Sequence, residues 1–416
     1  MYSQGPATKN NNSNAVLGNL DMRDLLTSPI KHFALGIYDG PHATPRESNE
    51  GPIFLGIKNV TPEGRLDLSD IRHVSEQEYP KWTRRVTPQK DDVVFSYEAT
   101  LHRYALIPEG FRGCLGRRMA LVRPDKKKII PRFLHYYFLS PAWREIVEAN
   151  IINGATVDRI PIRRFPDFEV SIPSLAMQQS VVDTLSAYDD MIENNRRRIQ
   201  LLEESARLLY KEWFVRFRFP GHEHVKIVDG VPEGWERKQL GEIATIVMGQ
   251  SPKSKYYNNI GNGLPFHQGV TNFGVRFPSH ETYCSLPSRL AEAGDILFSV
   301  RAPVGRINIT SDKIVIGRGL AAIRSNREQQ NFLFYALKDH FFKEDMIGGG
   351  AIFAAITKKD LHDVRILTVP DSTAKIFMEH VQPIDHQISN LHKTVEKLSK
   401  ARDLLLPRLM NGEIAV

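Results

Sequence analysis

The residues with most chemistry to offer recur in pairs along this chain of 416 residues. CLGRRMALVR, from Cys114 to Arg123, matches VIGRGLAAIR, from Val315 to Arg324, and sets Gly116-Arg117 against Gly317-Arg318. A glycine beside an arginine lets backbone N–H groups approach a phosphate while the guanidinium neutralises it. DDVVFSYEATLHR, from Asp91, matches GDILFSVRAPVGR, from Gly294, and pairs Arg103 with Arg306. The same matches put Tyr97 against Val300, Glu98 against Arg301 and Arg118 against Gly319. Shared positions suit phosphate contacts or folding, whereas unshared ones on the same elements suit the reading of different bases. The candidate DNA-binding set is therefore Tyr97, Glu98, Arg103, Arg117, Arg118, Lys253, Gln268, Arg301, Arg306 and Arg318, with Lys253 taken from the run GQSPKSKYYNN and Gln268 from the apolar run GLPFHQGV. A plainer role for each Gly-Arg, closing a turn, stays open.

Signatures of catalysis are missing. There is no G-x-x-x-x-G-K-S/T to cradle a triphosphate, no strand-to-helix G-x-G-x-x-G, and no Asn-Pro-Pro-Tyr-like tetrapeptide. Gly348-Gly349-Gly350 follows a helical pattern and reads as a turn. His222-Glu223-His224 has no cysteine or third histidine nearby, so no metal site is expected there. Pro166-Asp167 and Glu236-Arg237-Lys238 are fragments of a nuclease pattern with a whole helix between them, and chance accounts for them. The expectation is a chain without catalytic residues, metal or cofactor of its own.

Two long helices must position these groups. From Ser174, Leu185, Ile192, Ile199, Ala206 and Trp213 repeat every seven residues, with Tyr188, Leu202 and Leu209 beside them. From Val381, Ile388, Val395 and Leu409 hold one register, and Ile384, Leu391, Leu398 and Leu405 hold the other. The two seams superpose, with Asp385 over Asp189 and Ile388 over Ile192. The expected helix-pairing residues are Ile192, Ile199, Leu202, Leu209, Ile388, Leu391, Val395 and Leu398. Leu202 and Leu398 are singled out as a matched pair, each costing about 2–5 kcal/mol on change to Ala if fully buried. Some 40 residues of helix make a strut of roughly 60 Å, stopped or bent in the second case at Pro407.

The duplication covers whole domains. RFLHYYFL at Arg132 answers NFLFYALK at Asn331, NGATVDRI at Asn153 answers GGAIFAAI at Gly349, and Pro173 and Pro370 precede the two helices. The plan reads as an arm at 1–20, a mixed α/β domain at 21–173, a helix at 174–218, a Gly- and Pro-rich linker at 219–234, a second mixed α/β domain at 235–370, and a closing helix and tail at 371–416. The fold class is α/β (α+β). A hydrophobic content of 41% supports two cores. The net charge of +7 lies mainly on the domains, because acidic and basic residues balance along the helices. This is compatible with a polyanionic partner without requiring one. Cys114 and Cys284 read as core thiols of a reducing compartment. The N-terminus lacks the pattern of a signal peptide, and no run approaches the roughly 20 apolar residues that span a bilayer. The expected location is the cytoplasm.

With these residues in view, the chain from about residue 21 resembles the specificity subunits of type I restriction-modification systems. The resemblance rests on ARLLYKEWF at Ala206–Phe214, ARDLLLPRLMNGEIAV at Ala401–Val416, and GDILFSVRAPVG and IGRGLAAI in the second copy. It implies two target-recognition domains, each binding one half of a split double-stranded DNA target, held apart by the helices as an antiparallel coiled coil. It also implies two methyltransferase and two motor-nuclease partner subunits, which would bind S-adenosylmethionine, ATP and Mg. One departure is Met177-Gln178, where Glu-Gln is frequent in the family. Two other readings compete. A self-sufficient methyltransferase or nuclease would act on DNA alone, and a coiled-coil scaffold would show no salt-dependent DNA affinity.

Overall fold

The computed structural model describes residues 25–152, 157–341, 355–411 and 413–414. The expected arm, the Gly348–Gly350 turn and parts of the NGATVDRI and GGAIFAAI runs fall outside these. The chain divides into two compact units, residues 1–194 with 394–416, and residues 195–393.

In the first unit an antiparallel sheet is ordered Ala34–Asp39, Met119–Pro124, Val93–Ser96, Tyr104–Leu106, and its two central strands are buried along almost their whole length. A smaller sheet sets Ser48–Leu55 parallel to Gly113–Leu115, with Phe54 opposite Cys114. Leu26–Pro29 pairs with Glu169–Ile172, which brings the start and end of the domain together. The stretch from Pro131 forms two helices, Pro131–Leu139 and Pro141–Asn150, broken at Ser140. Pro141 cannot donate to the ladder, and Ser140 Oγ instead caps the second helix by accepting from Trp143 N at 3.3 Å. Phe133, Phe138, Trp143 and Phe165 fill the core against Val93 and Phe95.

The second unit repeats this register. Its sheet is ordered Ala244–Met248, Leu320–Ser325, Ile296–Ser299, Ile307–Ile309, and Leu264–His267 runs parallel to Ile314–Ile316 with Phe266 opposite Val315. Glu236–Gln239 pairs with Arg365–Thr368. A buried carboxylate takes a two-pronged arginine at the same place in each copy. Arg123 reaches Asp92 at 2.9 and 2.8 Å, and Arg324 reaches Asp295 at 2.6 and 2.8 Å. Segment 219–234 folds back on its neighbours, because Phe219 and Trp235 are buried with ring centroids 4.8 Å apart.

The first long helix spans Leu175–Tyr210 and widens into a π-turn at Lys211–Val215, where the adjacent Trp213 and Phe214 are both buried. Gln178 near its start is fully buried, and its Oε1 accepts from Ile130 N at 2.8 Å while Nε2 donates to Pro173 O at 2.9 Å. The Gln178 side chain thus ties helix to domain. The closing helix spans Asp371–Met410. The sequence suggested a stop or a bend at Pro407, and the helix is not stopped there but continues to Met410. By then the apolar face of the last turns is committed to the core, where Leu406 and Leu409 are buried, and the missing N–H costs one bond.

Each unit shows how the helices meet. In the first, Val181, Val182 and Leu185 near the start of the first long helix share a core with Leu406 and Leu409 near the end of the closing helix. In the second, Ala206, Tyr210 and Trp213 share a core with Ala374, Phe377 and Val381 near the start of the closing helix. Start against end, twice, is the antiparallel pairing.

The two registers of each seam are not equal. Leu185, Ile192, Ile199, Ala206 and Trp213 are all buried, as are Val381, Ile388, Val395 and Leu409. Leu202, Leu209, Leu391 and Leu398 are only half-buried. Leu202 and Leu398 therefore fall short of the full-burial condition, and Ile388, with no exposed surface, takes their place. Ile388→Ala is expected to cost about 2–5 kcal/mol and Leu398→Ala less, because part of the leucine already faces water. Denaturant titration of both variants checks the order.

Candidate nucleic-acid interface

The Gly-Arg loops sit where three strands of each domain end. In the first copy, strand Ala34–Asp39 runs alongside Met119–Pro124 and continues into Gly40, whose N–H donates to Met119 O at 2.8 Å. A Cβ on Gly40 would lie 2.4 Å from Gly116 O, so only glycine lets the two loops approach. Gly116 N–H donates to Leu55 O at 2.8 Å. The second copy has the same construction. Gly249 N–H donates to Leu320 O at 2.9 Å, Gly317 N–H donates to His267 O at 2.8 Å, and a Cβ on Gly249 would lie 2.1 Å from Gly317 O. Tyr97 N–H donates to Arg118 O at 3.1 Å, as Val300 N–H does to Gly319 O at 3.0 Å. The backbone of this corner is duplicated, and its side chains are not.

In the first copy Tyr97 lies inside the corner, with only 4% of its surface exposed. Its hydroxyl donates to Arg117 O at 2.8 Å and lies 3.2 Å from His42 Nδ1. Burial, with help from Asp39 and Glu98, pushes the phenol up to about 12. In this position Tyr97 holds the Gly116–Arg118 loop. His42 Nε2 lies 3.1 Å from Asp39, whose other oxygen takes Arg85 at 2.5 Å. Glu98 and Arg118 face each other at 3.2 Å, both partly exposed. Arg117 is exposed and Arg103 half-exposed. Neither side chain has a hydrogen-bond or ion-pair partner among the described residues.

The second copy gathers Ser251, Gln268 and Arg318. Ser251 Oγ lies 2.7 Å from Gln268 Oε1 and 3.3 Å from both Arg318 N and Nε. His267, next to Gln268, lies 2.8 Å from His280. Burial and that second ring push His267 down to about 4, so it is neutral near pH 7. Lys253, Arg301 and Arg306 are exposed, and their side chains have no polar partner among the described residues. Arg301 also forms an isolated backbone bridge with Ala355.

His42 and Ser251, which the sequence reading passed over, occupy equivalent places two residues after Gly40 and Gly249. A shared glycine was the available signal, but YDGPHA and VMGQSP share too little else to align. Among the described residues no group of three or more His, Cys, Asp or Glu could hold a metal ion. His222 and His224 lie on an exposed 3-10 turn.

A family model described as the type I restriction modification DNA specificity domain matches residues 61–204 and 232–400, one match for each copy. The chain belongs to this family. It is 34% identical over 309 residues to a candidate type I restriction enzyme MjaX specificity subunit of Methanocaldococcus jannaschii, covering 72% of each chain. It is 26% identical over 410 residues to the type I restriction enzyme MjaIX specificity subunit of the same organism, covering 94% of this chain and 90% of that one. The crystal structure of a type I restriction-modification S subunit from M. genitalium, 17% identical, superposes with a TM-score of 0.52 over 94% of this chain and 97% of that one. As a specificity subunit, the chain carries two target-recognition domains, and the duplicated corners are their shared feature. No helix among the described residues is long and apolar enough to cross a membrane.

Proposed function

We propose that this specificity subunit recognises a bipartite double-stranded DNA target, one half-site per domain, and directs partner subunits to it without catalysing a reaction itself. The observation that carries the reading is the duplicated Gly-Arg corner, in which one backbone frame displays exposed Arg117 in one copy and exposed Arg318 in the other. A frame held constant while its side chains change is suited to a common phosphate contact beside a variable base contact. In this reading two methyltransferase and two motor-nuclease subunits assemble on the chain in the cytoplasm, and they bind S-adenosylmethionine, ATP and Mg. The paired helices carry the spacing between half-sites.

Arg117 and Arg318 are assigned to phosphates. Changing either to Ala weakens binding to cognate and unrelated duplexes by similar factors, and makes the slope of log affinity against log salt shallower by about one unit. Fluorescence anisotropy at two or more salt concentrations checks this. A changed base preference at an unchanged salt slope would reassign them to base edges.

A further inference from the structure

The corner of the second copy is built around the side-chain amide of Gln268, and the reading offered next rests on that domain binding DNA. Parallel pairing of Phe266 with Val315 and of Phe54 with Cys114 makes Gln268 the counterpart of Gly56, just as Gly319 is the counterpart of Arg118. Where the loop of the first copy carries Arg118, that of the second carries Gly319, and Gln268, the residue after strand Leu264–His267, packs against it. The space is made by glycines. A Cβ on Gly317 would lie 2.7 Å from Gln268 Oε1, and one on Gly319 would lie 2.5 Å from Gln268 O. The Gln268 backbone is fixed too, because its carbonyl accepts from Gly319 N at 3.0 Å and that of His267 accepts from Gly317 N at 2.8 Å.

Ser251 then decides which way the amide faces. Arg318 N–H and Nε–H both donate to Ser251 Oγ, each at 3.3 Å, which occupies the lone pairs of the hydroxyl. Its own hydrogen remains, and the acceptor 2.7 Å away is Gln268 Oε1. With the carbonyl end held inward, the exposed side chain presents Nε2 and its two hydrogens, and Nε2 has no partner among the described residues. In the major groove guanine offers two adjacent acceptors, N7 and O6. Adenine sets a donor beside its N7, thymine offers one acceptor beside a methyl group, and cytosine offers a donor. We propose that Gln268 reads a guanine in the half-site of the second domain, and that Ser251 is the positioning residue that makes the amide a donor there.

The test is selection of duplexes from a randomised library by the full-length chain, with variants first shown to melt with wild type. Wild type is expected to favour guanine over adenine by about tenfold at one position of the second half-site. Gln268→Glu turns the donor into an acceptor, and the preferred base there becomes cytosine, whose N4 donates. Ser251→Ala releases Oε1, so the amide can pair with adenine through both atoms, and the guanine preference falls to about threefold or less. Ser251→Thr keeps the hydroxyl and restores it. If wild type selects a defined target and both Gln268→Glu and Ser251→Ala select the same one, or if the affected position is not guanine in wild type, the assignment is overturned while DNA recognition stands. A folded Gln268→Glu that binds nothing leaves the decision to Ser251→Ala, which changes no charge. Failure of wild type to bind any duplex in a salt-dependent way overturns both readings.

Discussion

Replacing residues 21–173 with the corresponding domain of another specificity subunit, while keeping both long helices, is expected to change one half of the DNA target and leave the other half unaltered. The physical basis is locality. Base contacts come from side chains of one domain, and free-energy contributions from sites that share no partners nearly add. The residues that differ between the copies on the common frame, Glu98 and Arg118 in one and Gln268, Arg301 and Gly319 in the other, belong to separate compact units. The incoming domain must also fit the helix. Tyr136 Oη donates to Asp189 on the first long helix at 2.5 Å, and Gln178 of that helix accepts from Ile130 N. A donor domain with a tyrosine at the position of Tyr136 should therefore dock, and one without it should assemble poorly. Sequencing of methylated sites in cells carrying the hybrid system gives the answer. A hybrid that altered both halves together would mean that the two domains build one composite surface.

Changing Arg276 to Ala should produce the largest loss of stability from a single residue. Its guanidinium is 2% exposed and joins elements distant in sequence. It donates to Glu203 on the first long helix at 2.9 Å, to Asp385 on the closing helix at 2.5 Å and to Tyr335 at 3.1 Å. Lys338 adds a second contact to Glu203 at 2.9 Å, and Tyr335 and Asn331 both donate to Asp385. The guanidinium also lies 4.5 Å from the centroid of Phe334. Removing the arginine leaves buried Asp385 with only the neutral donors Tyr335 and Asn331 and buried Glu203 with Lys338 as its one remaining cation among the described residues, which costs about 3–5 kcal/mol. Adding Glu203→Gln and Asp385→Asn should recover part of that, since the loss is uncompensated charge rather than lost volume.

The pH dependence has a definite sign. Burial raises the Glu203 carboxyl, but Arg276 and Lys338 outweigh it and hold the group below its usual range. A depressed carboxylate contributes stability that is full above its unfolded pKa, about 4.3, and is lost as pH falls through the lower folded value. Arg276→Ala removes one of the two cations that oppose burial, so the Glu203 carboxyl rises and the penalty should be smaller at pH 5 than at pH 7.5. Thermal melts of both proteins at these pH values check it. Equal melting of Arg276→Ala and wild type would mean that the network does not hold the second domain to the helices.

Periodicity and repetition are local properties, and they carried far. The heptads of Leu185–Trp213 and Val381–Leu409 specified two long helices, because side chains at that spacing share a face whatever they later meet. Internal matches such as Asp92 with Asp295 and Gly116 with Gly317 marked the duplicated domains, since positions under the same packing and close-approach constraints keep the same residue types. Burial of one heptad register more deeply than the other was not legible, because both registers are equally apolar. Nor was the position of Tyr97, a residue type that suits a core and a DNA surface equally well. The arrangement around Ser251 depends on Arg318, 67 residues away, and that around Arg276 depends on Asp385, 109 residues away. A hydrogen bond is decided by tenths of an ångström and by the direction of one hydrogen. Only the folded chain sets those, after strand register and helix pairing have brought distant loops together.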